Sequence, residues 1–181
     1  MRAHPSIVLS AAVTLGTVCT SVFAQAERSP EYQVKARYIA TLSEYTTWPG
    51  LTLPKAQEEP VRLGILGTAP FEGFMKDLAT NYRVHGHRIE LVTLRQPLDA
   101  RKCHLVFIAG SEKQRLPEIL AALRGSPVLT IGDTPGFADR GVMVNLFLSQ
   151  NRVLFEINPG ALKASRLEMS SHVLKFARIV D

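Results

Sequence analysis

The stretch CHLVFIAG, Cys103 to Gly110, decides the fold. Its centre, Leu105-Val106-Phe107-Ile108, has no polar side, and a strand that is apolar on both faces must be covered on both faces. Such burial belongs to a parallel sheet layered between helices, so strands and helices should alternate on either side of it. They do. Upstream, Val61 to Leu66 reads as a strand, Pro70 to Tyr82 as an amphipathic helix and Ile89 to Leu94 as a second strand, which makes His104 to Ala109 the third. Downstream, Glu112 to Leu123 reads as a helix that tolerates Pro117 only in its first turn, and Val128 to Ile131 as a fourth strand.

Beyond Ile131 the pattern changes. Val142 to Leu148 and Arg152 to Ile157 are joined only by Ser149-Gln150-Asn151, a polar link of hairpin length. Asn158-Pro159-Gly160 then breaks the run, and two helices are expected, Pro159 to Leu167 and Ser171 to Val180, the second capped by Ser170-Ser171. Near the other end, EYQVKARYIATLSEYTTWPG, Glu31 to Gly50, follows Ser29-Pro30 and stops at Trp48-Pro49, as a capped helix should. Pro49 to Pro60 carries three prolines and no hydrophobic period, which marks a surface connection. The expected fold is α/β: a mostly parallel sheet flanked by helices on both faces, with an added antiparallel strand pair near the C-terminus.

The first residues have another purpose. Met1-Arg2 gives a short positive start, Ile7 to Val18 an apolar centre diluted by serine, threonine and glycine, and Val22-Phe23-Ala24 a peptidase site, which together read as a signal peptide over residues 1–24 cleaved after Ala24. An uncleaved anchor is the rival reading, since no charge interrupts Pro5 to Ala26. Residues 25–181 are then expected to form one domain. The formal charge is +5, but the basic residues are dispersed, with no clustered Lys/Arg face and aromatic interleaving of the kind nucleic acid would need. Of the two cysteines, Cys19 leaves with the signal, so Cys103 has no internal partner and is expected to be a small buried hydrophobe opening a core strand.

No catalytic constellation emerges. Ser170-Ser171-His172 holds the residue types of a nucleophile and base, yet neighbours on a helix project at different angles and cannot share a proton. His85-Gly86-His87 lacks a third ligand at metal spacing and reads as a turn into the next strand, and His104, beside a buried strand, as a hydrogen-bonded core or rim residue. Leu63 to Phe71, LGILGTAPF, has too few glycines for a phosphate loop and gives only a tight turn. Asp133 to Gly141 forms a long loop at the carboxyl edge of the sheet, where open α/β folds hold ligands. No metal or cofactor is expected.

Partner binding needs exposed apolar groups. Leu162 has Ser165 and Arg166 three and four positions on, so it is expected to point outward, the alternative being that it folds under the adjacent strand pair; Glu156 is a lone charge in the apolar run Val153 to Ile157 and must reach solvent or an opposite charge. Val144 and Phe147, on the neighbouring strand, are further candidates.

Four blocks in this order, Glu31–Gly50, Cys103–Gly110, Val128–Leu146 and Arg152–Val180, resemble the YfiR family. The resemblance implies a non-enzymatic periplasmic regulator that binds and inhibits the periplasmic domain of an inner-membrane diguanylate cyclase, lowering cyclic-di-GMP signalling, and that an OmpA-like outer-membrane lipoprotein withdraws. It also makes a homodimer plausible. Family members often carry cysteine pairs, which the lone Cys103 does not reproduce. The alternative is a periplasmic small-ligand binding protein using the loop at Asp133 to Gly141 and the turn at Gly67.

Overall fold

The structure is a computed structural model that describes residues 30–49, 53, 54, 56, 58–69 and 72–180. The signal segment and its cleavage point, the cap at Ser29, the block end at Gly50 and the helix start at Pro70 lie outside the described residues.

Five strands run parallel: β2 (Val61–Leu66), β4 (His87–Leu94), β5 (Leu105–Ile108), β6 (Leu129–Gly132) and β7 (Val144–Ser149). Antiparallel to β7 lies β8 (Arg152–Ile157), and β10 (Arg178–Ile179) continues the sheet parallel to β8. At the other margin the two residues of β3 (Arg83–Val84) turn back on β4. The order across the eight strands is β10-β8-β7-β6-β5-β2-β4-β3, and a separate antiparallel pair joins β1 (Thr46–Thr47) to β9 (Glu168–Met169). The expected class, a mostly parallel α/β sheet with an added antiparallel hairpin, is the one observed.

The run that decided the fold behaves as its pattern requires. Leu105 and Phe107 enter one core, under α1 (Pro30–Glu44) and α2 (Glu72–Asn81); Val106 and Ile108 enter a second, under the 3-10 turn Pro97–Lys102 and α3 (Leu116–Leu123). Phe137, from the long loop after β6, closes the second core. Among the described residues no helix is long and apolar enough to cross a membrane.

Four helices differ from expectation. The first ends at Glu44, short of Trp48, and Thr46–Thr47 pair as β1 with β9; the one expected over Pro159 to Leu167 ends at Ala164. The one expected from Glu112 starts at Leu116, with Pro117 in its first turn where the missing N–H is harmless, and a 3-10 turn, Gly110–Glu112, precedes it. The one expected over Ser171 to Val180 is a single turn, α5 (Ser171–Leu174), after which the chain straightens into β10. Its cap is Ser170, whose hydroxyl accepts from the His172 N–H at 3.3 Å. The helix stops because Arg178 is held at the sheet margin by the buried Glu156.

Candidate docking surface

Six of the seven large apolar side chains exposed among the described residues gather at one end of the sheet: Val34, Tyr45, Leu148, Leu154, Phe176 and Ile179, with Leu98 alone elsewhere. Two depressions run between α1 and the β8 margin. One, of about 620 Å3, is lined by Val34, Tyr38, Leu148, Arg152 and Leu154; the other, of about 400 Å3, by Tyr38, Tyr45, Leu154, Phe155, His172 and Phe176. Tyr38 and Leu154 belong to both, so they form one trough, whose second half is almost wholly apolar. Phe176, at the end of the turn after α5, is 79% exposed. A surface of this kind excludes water only when another molecule covers it.

A buried polar chain crosses the β7–β8 pair. Asn145 and Glu156 stand opposite each other on β7 and β8, and the Asn145 Nδ2 donates to Glu156 Oε2 at 3.0 Å. The other Glu156 oxygen pairs with the Arg178 guanidinium, which also lies 4.8 Å above the Phe147 ring. Asn145 Oδ1 accepts the Thr134 N–H at 3.1 Å, tying the long loop after β6 into the same chain of bonds. A buried carboxylate needs such partners.

The four residues expected at a docking face are therefore placed unevenly. Glu156 reaches an opposite charge rather than solvent. Leu162, expected to point outward, is only 4% exposed: α4 (Pro159–Ala164) is six residues long and lays Leu162 into the first core with Leu167 and Met169. Val144 is fully buried in that core, and Phe147 is half-buried under Arg178. The exposed set was missed in the sequence because hydrophobic period marks which side chains share a face, not whether that face is covered.

The carboxyl edge of the parallel strands is filled by the protein's own groups. Lys35, from α1, donates to Asp133 Oδ2 at 3.2 Å and pairs with Glu31 at 2.7 Å. Burial would lower the Lys35 amine, but the hydrogen bond to Glu31 and the charges of Asp133 and Glu31 outweigh it and raise it above the ordinary value. Burial raises the Asp133 carboxyl despite Lys35. The crevice between β2 and β5, where strand order reverses, is closed by Ser111, whose Oγ accepts the Thr68 N–H at 3.0 Å and would collide with any Cβ at Gly67, φ +83°.

Three histidines hold backbone groups. A ring nitrogen of His85 lies 2.8 Å from the Thr46 carbonyl, one of His87 lies 3.1 Å from the Glu59 carbonyl, and His104 Nδ1 accepts the Arg62 N–H at 2.9 Å.

Comparison with known proteins bears on fold and family. Residues 32–178 match the model of a family described as YfiR/HmsC-like. An ABC domain from Streptococcus pneumonia, solved in complex with L-Trp, superposes with a TM-score of 0.56 at 10% identity, over 83% of this chain and 60% of that one. A conserved domain protein from Vibrio cholerae gives 0.57 at 13% identity, over 84% and 60%. The chain thus spans about 60% of the length of these two structures, and the likeness is one of fold.

Proposed function

The chain belongs to the YfiR/HmsC-like family, and from that premise we propose that it docks on the periplasmic domain of an inner-membrane diguanylate cyclase and holds the enzyme in an unproductive arrangement. The family's members are periplasmic regulators and are generally non-catalytic. In this proposal residues 1–24 are removed on export and residues 25–181 act as one domain. The observation that supports it best is the gathering of five exposed apolar side chains, Val34, Tyr45, Leu148, Leu154 and Phe176, along one trough at the sheet margin.

Inhibition by docking needs no chemistry. A regulator that binds one arrangement of the cyclase better than another shifts the population toward it, and a differential of about 1–3 kcal/mol makes a working switch. An OmpA-like outer-membrane lipoprotein that competes for the regulator would relieve the inhibition by mass action. Deleting the gene should raise cyclic-di-GMP and biofilm, and the protein should retain the cyclase from solubilised membranes. Unchanged nucleotide levels would defeat the proposal.

A small-ligand reading draws on the L-Trp held by the Streptococcus pneumonia domain. It ranks second because Lys35 and Ser111 fill the sheet edge where such a ligand would sit. A rise in melting temperature on adding L-Trp would promote it.

A further inference from the structure

We infer that the outer edge of β8, from Arg152 to Phe155, accepts an extended apolar segment with acidic flanks from a partner protein, which joins the sheet as an additional strand. The inference rests on the docking reading and specifies its chemistry.

The sheet is unfinished at this margin. β10 pairs with β8 only through Arg178 opposite Glu156 and Ile179 opposite Ile157, so Arg152 to Phe155 have no strand on their outer side among the described residues. The Val180 N–H donates to the Ile157 carbonyl at 2.9 Å, which shows which residues of β8 turn their backbone groups outward. Alternate residues of a strand share that direction, so Val153 presents its N–H and C=O and Phe155 its N–H to the open side, the Phe155 carbonyl being taken up by the parallel pairing of Arg178 with Glu156. Proteins usually blunt such an edge with charge, proline or a bulge. Here the edge borders the apolar trough, with Leu154 exposed along it and Tyr38, Tyr45 and Phe176 flanking it. An added strand would satisfy the outward backbone groups and set alternate side chains into the trough.

Charge selects the occupant. Arg152 lines one half of the trough and His172 the other, and Lys175 precedes Phe176; Arg152 and Lys175 make no ion pair among the described residues. The nearby Glu31 is already held by Lys35. A second copy of this chain laid edge to edge would set Arg152 and Lys175 against themselves, whereas acidic flanks on a foreign strand meet them favourably.

The test uses the purified protein and three synthetic peptides: alternating valine and threonine flanked by glutamates, the same core flanked by lysines, and the glutamate peptide with its central amides N-methylated. The glutamate peptide should slow hydrogen exchange at the Val153 and Phe155 amides, and Arg152→Glu should weaken its binding roughly tenfold. The N-methylated and lysine-flanked peptides should leave both amides unprotected. Equal protection by the lysine-flanked peptide, or protection by none, would overturn the inference. If Leu154→Asp abolishes repression while the amides stay unprotected by every peptide, docking stands and strand addition falls. If Leu154→Asp and Arg152→Glu both repress normally, the docking reading falls with it.

Discussion

Asn145 and Glu156 face each other across the β7–β8 ladder, both buried, and share a hydrogen bond of 3.0 Å. Between them they join the long loop, through the Thr134 N–H, to the sheet margin, through Arg178. Glu156 is therefore a structural charge that ties the β7–β8 pair to the last strand.

Glu156→Lys places a second cation beside Arg178 in a site that is 2% exposed. Breaking a buried pair in this way costs about 3–5 kcal/mol, while Glu156→Gln, which still meets Asn145, should cost about 1–3 kcal/mol. Denaturant midpoints would rank them. Repression lost in Glu156→Lys should follow loss of folded protein, and a Lys variant as stable as the parent would contradict the buried role.

Leu162→Ala should destabilise by about 2–5 kcal/mol, and Leu162→Asp by more, because the side chain sits in the core with Leu167 and Met169. An outward Leu162 would tolerate both within about 0.5 kcal/mol. Urea unfolding of the Ala variant decides between the two placements.

The parallel strands were legible because each is a short segment of apolar or alternating pattern that reads as one element, and Leu105 to Ile108 reported both cores at once. Leu162 misled for a local reason: its helical face was judged from Ser165 and Arg166, whereas its burial comes from residues beyond the helix. The last helix misled for a distant one. Val173, Leu174 and Ala177 suit a helical period, but Arg178 answers a carboxylate on β8, and no local pattern registers a pairing between residues that far apart in the chain. The trough was illegible for the same reason, being assembled from α1, β8 and the turn after α5.

The ion pair at the sheet edge should mark both limbs of the pH profile in the same direction, each contribution being lost as pH rises. Lys35 is raised above its ordinary 10.5, so its contribution is whole below that value and is lost as pH rises past it. Asp133 is raised above 3.8, so the folded state holds that proton more tightly than the unfolded chain, and this contribution is present in acid and lost as pH climbs through the carboxylate range. Lys35→Met should flatten the alkaline limb of stability. Asp133→Asn should cost more in acid than at neutral pH, with Lys35 still bound to Glu31. Unfolding free energies across the pH range provide the check, and an unaltered alkaline limb in Lys35→Met would refute the assignment.

Cys103 lies against Gly64 and Leu94 and is 5% exposed, and burial pushes its thiol up. Since the thiolate is the reactive form, alkylation of the native protein should track global unfolding. Mass measurement after brief iodoacetamide treatment should find the native thiol unmodified and the denatured one fully modified. Rapid labelling of native protein would place Cys103 at the surface and make a cross-linked dimer chemically accessible.

Phe176 gives the cleanest separation of docking from folding. Its ring is exposed at the end of the turn after α5, so removing it forfeits little burial, and Phe176→Asp should change stability by no more than about 0.5 kcal/mol. The same substitution removes the ring's apolar contact and puts a carboxylate into a trough whose lining includes Tyr38, Leu42, Tyr45, Phe155 and Val173, where a partner would have to desolvate it. Aromatic side chains at the centre of an interface commonly contribute 2 kcal/mol or more, roughly a thirtyfold change in affinity. Cells carrying Phe176→Asp should therefore show normal amounts of folded protein and raised cyclic-di-GMP. Leu98→Asp, a substitution at another exposed apolar side chain away from the trough, should leave the nucleotide unchanged. Equal effects of the two substitutions would mean that the trough is not where the partner sits.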